Sequence, residues 1–112
     1  MMQITRSSNN QVLYEAKARV LKALAHPSRL MILDALASGE KCVCELQQIV
    51  GSDMSTVSRH LSVMKSAGLV ADRKVGTTVF YHLIAPCLQQ LFVCVESILR
   101  KEAEARTKLL GV

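Results

Sequence analysis

Two cysteines one residue apart, Cys42 and Cys44, head a short amphipathic stretch of this 112-residue chain. Cys42 stands three residues before Glu45, the spacing of a capping box with cysteine in the place of serine or threonine. Both thiols therefore belong to a helix N-terminus, where the helix dipole favours thiolate, the form that binds metal. Two thiolates this close can clasp a soft ion such as As(III), Sb(III), Cd(II), Pb(II) or Hg(II). A disulfide across one intervening residue closes a very small ring, so free thiols are the expected resting state. The plainer alternative is two small, partly buried cysteines with no ligand. The other two cysteines, Cys87 and Cys94, lie seven residues apart, hence on one helix face and roughly 10 Å apart along its axis. Either they pack as small hydrophobes at a contact between copies, or one of them gives a third sulfur to Cys42 and Cys44.

A second group follows a tight turn at Val50-Gly51-Ser52. Ser55, Thr56, Ser58, Arg59 and His60 crowd the first turns of a helix from about Met54 to Ala67, with Ser52 or Asp53 as its N-cap. Its opposite face, Val57, Leu61 and Met64, is apolar at spacings of four and three. Short hydroxyl side chains let such a helix approach base edges in a DNA major groove. Arg59 can reach a guanine or a phosphate, and His60 a phosphate or base. Arg73, Lys74 and Thr77 flank a glycine turn farther on and suit a phosphate backbone or a minor groove. The bland reading makes Ser55 and Thr56 capping residues and the cations solvated charge.

The elements that must position these groups are legible along the chain. Residues 1–10 are polar and aperiodic and are expected as a flexible arm, with residues 11–112 as a single domain. Apolar residues at helical spacing run from Gln11 to Ala25. His26-Pro27 ends that helix, and Pro27 opens the next, which Gly39 stops. A helix from about Cys42 to Val50 turns Val43, Leu46, Ile49 and Val50 inward. Leu69–Lys74 and Thr78–Leu83 are rich in β-branched and aromatic residues and flank Val75-Gly76-Thr77, a β-hairpin. Pro86 opens a long last helix whose Leu88, Leu91, Phe92, Val95, Ile98 and Leu99 are apolar. The fold class is mainly α: a winged helix-turn-helix of about five helices with a two-stranded β-hairpin wing. The first and last helices carry more apolar surface than so small a core can cover, which implies a second copy docking through residues 11–25 and 86–102.

Composition agrees. Formal charge is +5, which favours a polyanionic partner, and the core must be aliphatic because Trp is absent and Phe and Tyr number two each. No apolar run spans a membrane and no secretory h-region is present. A cytoplasmic location follows as the expectation, where cysteines serve metal or redox chemistry more than structural disulfides. No nucleophile–base–orienter set, phosphate loop or paired-carboxylate site is visible, so an enzyme is not expected. Glu45 and Asp53 are read as capping residues and His26 as a helix-boundary residue.

Leu24-Ala25-His26-Pro27-Ser28-Arg29-Leu30, Cys42-Val43-Cys44-Glu45-Leu46, Ser55-Thr56-Val57-Ser58-Arg59-His60-Leu61, Ser66-Ala67-Gly68-Leu69-Val70 and the wing Arg73…Gly76…Tyr81-His82-Leu83 together resemble the arsenic-repressor (ArsR/SmtB) family of metal-sensing winged-helix repressors. The likeness covers roughly residues 15 to 85. It implies a homodimer that binds inverted-repeat operator DNA without any cofactor. Arsenite, antimonite or a soft divalent metal at Cys42 and Cys44 would then act as inducer and release it. The sequence also departs from the family. Arsenic repressors with this motif carry a further cysteine where Gln47 stands, and cadmium and lead sensors draw thiolates from an N-terminal arm, whereas residues 1–41 hold none. Residues 82–102 offer His82, Glu96 and Glu102 without the paired pattern of the family's zinc site. A thiol redox or persulfide sensor on the same fold, a cadmium or lead sensor, and a non-sensing binding module stay open.

Overall fold

Proline and glycine punctuation sets the element order. The computed structural model describes residues 2–111, with side chains from residue 9 onward. Helix α1 spans Met2–Leu24 and α2 spans Pro27–Ala37. Between them His26 is extended and caps α2, its Nδ1 accepting the Ser28 amide at 3.1 Å, while Pro27 takes the first position, where no amide donor is needed. Strand β1 is Lys41–Cys42, α3 is Val43–Val50 and α4 is Met54–Ser66. Gly51 joins α3 to α4 at φ +80°, a left-handed conformation that closes α3 and turns the chain sharply into the second helix of the pair. Strands β2 (Val70–Val75) and β3 (Thr78–Leu83) form the wing, and α5 covers Leu88–Leu109.

The core is aliphatic, as expected. Ile32 and Leu33 of α2, Leu46 of α3, and Val57, Leu61 and Met64 of α4 have no solvent exposure, and Leu69 and Val70 close the layer from the start of the wing. Winged helix-turn-helix architecture with five helices is thus the observed fold.

Several expectations need correction. The helix predicted from Gln11 runs back to Met2, because no glycine or proline interrupts residues 2–24; the arm expected over 1–10 is helical backbone there, and Met1 lies outside the described residues. The sheet has three strands in the order β1-β3-β2, not two, since Lys41 and Cys42 pair with Tyr81 and Phe80. A two-residue strand is too short to show alternation. Ile49 is 42% exposed, because α3 turns mainly Leu46 inward. The last helix begins at Leu88, two residues after Pro86.

Candidate functional site

The capping box at the head of α3 forms as the sequence predicts. Cys42 Sγ accepts the Glu45 amide at 3.3 Å, and Glu45 Oε1 accepts the Cys42 amide at 3.1 Å. The expectation of free thiols is not met: Cys42 and Cys44 are joined as a disulfide, with Cα atoms 5.4 Å apart. Val43 between them is the first helical residue of α3, and a helical residue holds its two neighbours' α-carbons within disulfide range, while Cys42 itself is extended (φ −78°, ψ 162°) at the cap. Cys42 is buried and Cys44 exposed.

Around this pair lies a cleft of about 240 Å³ whose walls are Cys42, Val43, Cys44, Met54, Thr77, Thr78 and Val79. Met54 begins α4, and Thr77 is in the wing turn, so the cysteines share a cleft with both DNA-reading candidates. Nothing in the sequence announces that meeting, since the three segments approach only through β1–β3 pairing and the α3–α4 turn. Cys87 and Cys94 are not part of it. Both are exposed on or beside α5, and among the described residues no three His, Cys, Asp or Glu side chains gather. The alternative in which one of them gives a third sulfur is not met within one chain, since neither lines the cleft. His82, Glu96 and Glu102 likewise form no group.

The reading helix presents Ser55, Ser58 and Arg59 to solvent, with Thr56 half-buried. The Ser55 and Thr56 hydroxyls donate to the Asp53 carboxylate at the helix start, and these bonds, Ser55's first, hold that carboxyl below its ordinary value. Both hydroxyl oxygens keep lone pairs able to accept from a base or water.

His60 departs from its expected role. It is 7% exposed, and its Nδ1 accepts from Arg29 Nε at 3.1 Å while its ring lies 4.4 Å from that of His26. It ties α4 to α2 and is turned away from the surface that Ser55 and Arg59 share. Burial first, then the facing charges of His26, Arg29 and Arg59, pushes its imidazole below the ordinary value of 6.5. The native form is thus neutral, whereas the unfolded chain takes up a proton at a higher pH, so acid favours unfolding. The stability this group contributes is complete above pH 6.5 and is lost as pH falls through the lowered native value. Urea unfolding should show the wild-type midpoint declining from about pH 7 to about pH 5. His60→Gln should flatten that decline and cost about 1–3 kcal/mol at neutral pH through the broken Arg29 bond. An unchanged acid slope in that variant would remove His60 from the account.

Arg73 is also otherwise engaged. Its Nε and Nη2 donate to the two Glu40 oxygens at 2.8 and 2.6 Å, and its guanidinium sits 5.2 Å over the Phe80 ring. That fork holds the Glu40 carboxyl below its ordinary value. It fastens β2 to the segment entering β1; Arg73 stays exposed, as Lys74 and Thr77 are, but its guanidinium is already paired.

Comparison with known proteins points the same way. Residues 26–72 match the bacterial regulatory proteins of the arsR family. An uncharacterized HTH-type transcriptional regulator of Methanocaldococcus jannaschii is 37% identical over 86 residues, 76% of this chain and 97% of that one. A transcriptional repressor SmtB homolog of Synechocystis is 44% identical over 66 residues, 59% of this chain and 50% of that one. Among solved structures, the homodimeric winged helix-turn-helix DNA-binding domain of a possible ArsR-family regulator from Mycobacterium bovis superposes with a TM-score of 0.73 at 36% identity, covering 86% of this chain and 89% of that one. Helix-turn-helix, three-stranded wing sheet and matching sequence place the chain in the ArsR family of bacterial regulatory proteins, which are DNA-binding transcriptional regulators and not enzymes.

Proposed function

We propose that the protein is a homodimeric repressor that binds inverted-repeat operator DNA and lets go when arsenite, antimonite or a soft divalent metal engages the reduced thiols of Cys42 and Cys44. The observation that carries this reading is the shared cleft: the two sulfurs, the first residue of α4 and the wing turn border one space. Ser55, Thr56, Ser58 and Arg59 read the major groove, and Lys74 and Thr77 hold the backbone beside it. Arg73 positions the wing through Glu40, and His60 fixes α4 from inside. Two reading helices of a symmetric dimer would fall one helical turn of DNA apart, about 34 Å.

The donor chemistry suits a thiophilic ligand. As thiolates the two cysteines supply soft sulfur at a helix N-terminus, and Glu45 is occupied by the Cys42 amide. A ligand gripping both sulfurs must disturb the cap that Cys42 makes to Glu45 and the β1–β3 pairing of Cys42 with Phe80. Either change reaches the wing or α4 directly. Metal binding needs the free thiolates, so the disulfide between them has to be opened first.

That same disulfide favours a second reading, a thiol redox or persulfide sensor. Two thiols and one peroxide would give the disulfide, an alcohol and water, and the oxidised protein would be the released one. A cadmium or lead sensor needs further thiolates, which only a partner chain's Cys87 or Cys94 could give. Titrating reduced protein on operator DNA with arsenite, antimonite, Cd(II), Pb(II) and, separately, peroxide and polysulfide separates these. Release by peroxide or polysulfide alone would overturn the metalloid reading.

The DNA contacts have their own signature. Arg59→Ala should cost about 1–3 kcal/mol of operator affinity and relax the preference at the base it reads. Lys74→Ala should weaken specific and unrelated DNA alike and reduce the salt slope by about one. Fluorescence anisotropy across a salt series measures both, and equal behaviour of the two variants would refute the division of labour.

A further inference from the structure

The cleft beside the cysteines contains a third sulfur that their spacing does not announce. Met54 lines the same cleft as Cys42 and Cys44 and is 43% exposed, so its thioether is not committed to the core. Methionine is unbranched with three rotatable bonds, which lets the sulfur swing without moving the helix. No histidine, aspartate or glutamate lines the cleft, and its remaining walls are Val43, Thr77, Thr78 and Val79. Two thiolates and a thioether form a donor set of sulfur alone. Borderline ions such as Zn(II) favour a closed set of four thiolate and imidazole ligands, whereas thiolate with thioether selects Cu(I) and its heavier congener.

We propose that reduced Cys42 and Cys44 together with Met54 form a three-sulfur site for a soft monovalent ion, Cu(I) or Ag(I). This rests on Cys42 and Cys44 being the sensor and supplies the ligand lacking at Gln47. Opening the site takes two electrons: two molecules of a low-molecular-weight thiol become one disulfide, and the protein disulfide becomes two thiols. Binding then releases the two thiol protons to solvent. Because Met54 is the first residue of α4 and Thr77 borders the same cleft, an ion held here would draw the reading helix, α3 and the wing turn onto one centre.

The test uses the full chain, reduced with a phosphine and handled without oxygen. Cu(I) is titrated in competition with a chromophoric chelator, Ag(I) is titrated in parallel, and X-ray absorption counts the sulfur neighbours of bound copper. The wild type should bind one ion per chain with three sulfurs. Met54→Leu, which keeps size and shape, should lose at least about tenfold in Cu(I) affinity, no less than the loss of a supporting residue costs a metal site, and show two sulfurs. Wild-type Cu(I) affinity and sulfur count in Met54→Leu would overturn the role of Met54 alone. Undiminished Cu(I) binding by Cys42→Ser/Cys44→Ser would overturn the sensor reading beneath it as well.

Discussion

Replacing Cys42 and Cys44 together by serine should leave operator affinity within about twofold of wild type and abolish release by arsenite, since about 1.4 kcal/mol is already tenfold. The first half of that expectation comes from the cap. Serine is a preferred N-cap residue, and its hydroxyl can accept the Glu45 amide that Cys42 Sγ now accepts, so α3 and the segment entering α4 keep their geometry. The second half follows from what release requires. Moving an operator from almost all bound to almost all free takes roughly 5.5 kcal/mol of differential binding, which a chelating pair of thiolates can supply and two hydroxyls cannot. The single variants should separate the roles: Cys44→Ser, at the exposed position, removes the outer sulfur with the cap untouched, and Cys42→Ser removes the buried one. Anisotropy of labelled operator DNA, read with and without arsenite on reduced protein, measures all three. A double variant still released by arsenite at wild-type concentrations places the sensor elsewhere, with Cys87 and Cys94 the next residues to replace.

Much of this arrangement could be read from the chain, and the parts that could not have a common cause. Pro27, Gly51 and Gly76 act on their own neighbours, and Val57, Leu61 and Met64 announce a buried face by their spacing, so helices, turn and wing were legible. His60 was misread although its position spoke clearly. It stands three residues after Val57 and four before Met64, on the buried face, but its polar side chain suggested a surface role. Its partner Arg29 lies 31 residues away, and Arg73's partner Glu40 lies 33 away. Local reading treats both side chains as available because it cannot see the partners that the fold brings to them. The cleft is the same case. Cys42 and Cys44 were visible as a pair, whereas Thr77 became their neighbour only through the pairing of the two-residue β1 with β3, and Met54 through the α3–α4 turn.

Charged residues on α5 should undo DNA binding without undoing the fold. Ile98→Glu/Leu99→Glu is expected to give a folded monomer whose affinity for an inverted repeat is about 10²–10⁴-fold weaker, the gain normally drawn from engaging two half-sites at once. The chain has too much surface for its mass. It exposes 8046 Å², where a monomer of 12.3 kDa should expose about 6,100 Å². Its radius of gyration is 18.1 Å, against about 13 Å for a compact domain near this length. The surplus sits on the terminal helices. No described residue of α5 is buried, Val93, Ile98 and Leu99 are 65%, 59% and 58% exposed, and Val12 and Tyr14 of α1 are 60% and 65% exposed. Leu91, Val95 and Ile98 follow one another at spacings of four and three, the pattern of a buried helix face with nothing yet covering it. Apolar helix faces left open in this way are the surface a second copy would cover. Two glutamates placed in that surface would have to be buried unpaired on association, at a cost of several kcal/mol each, while in the monomer they face water. Sedimentation at micromolar concentration reports the oligomeric state, circular dichroism the fold, and anisotropy on full and half operators the loss of avidity. A variant that remained dimeric with full operator affinity would move the interface off α5, and one that lost its helical signal would show that α5 serves the single chain's own core.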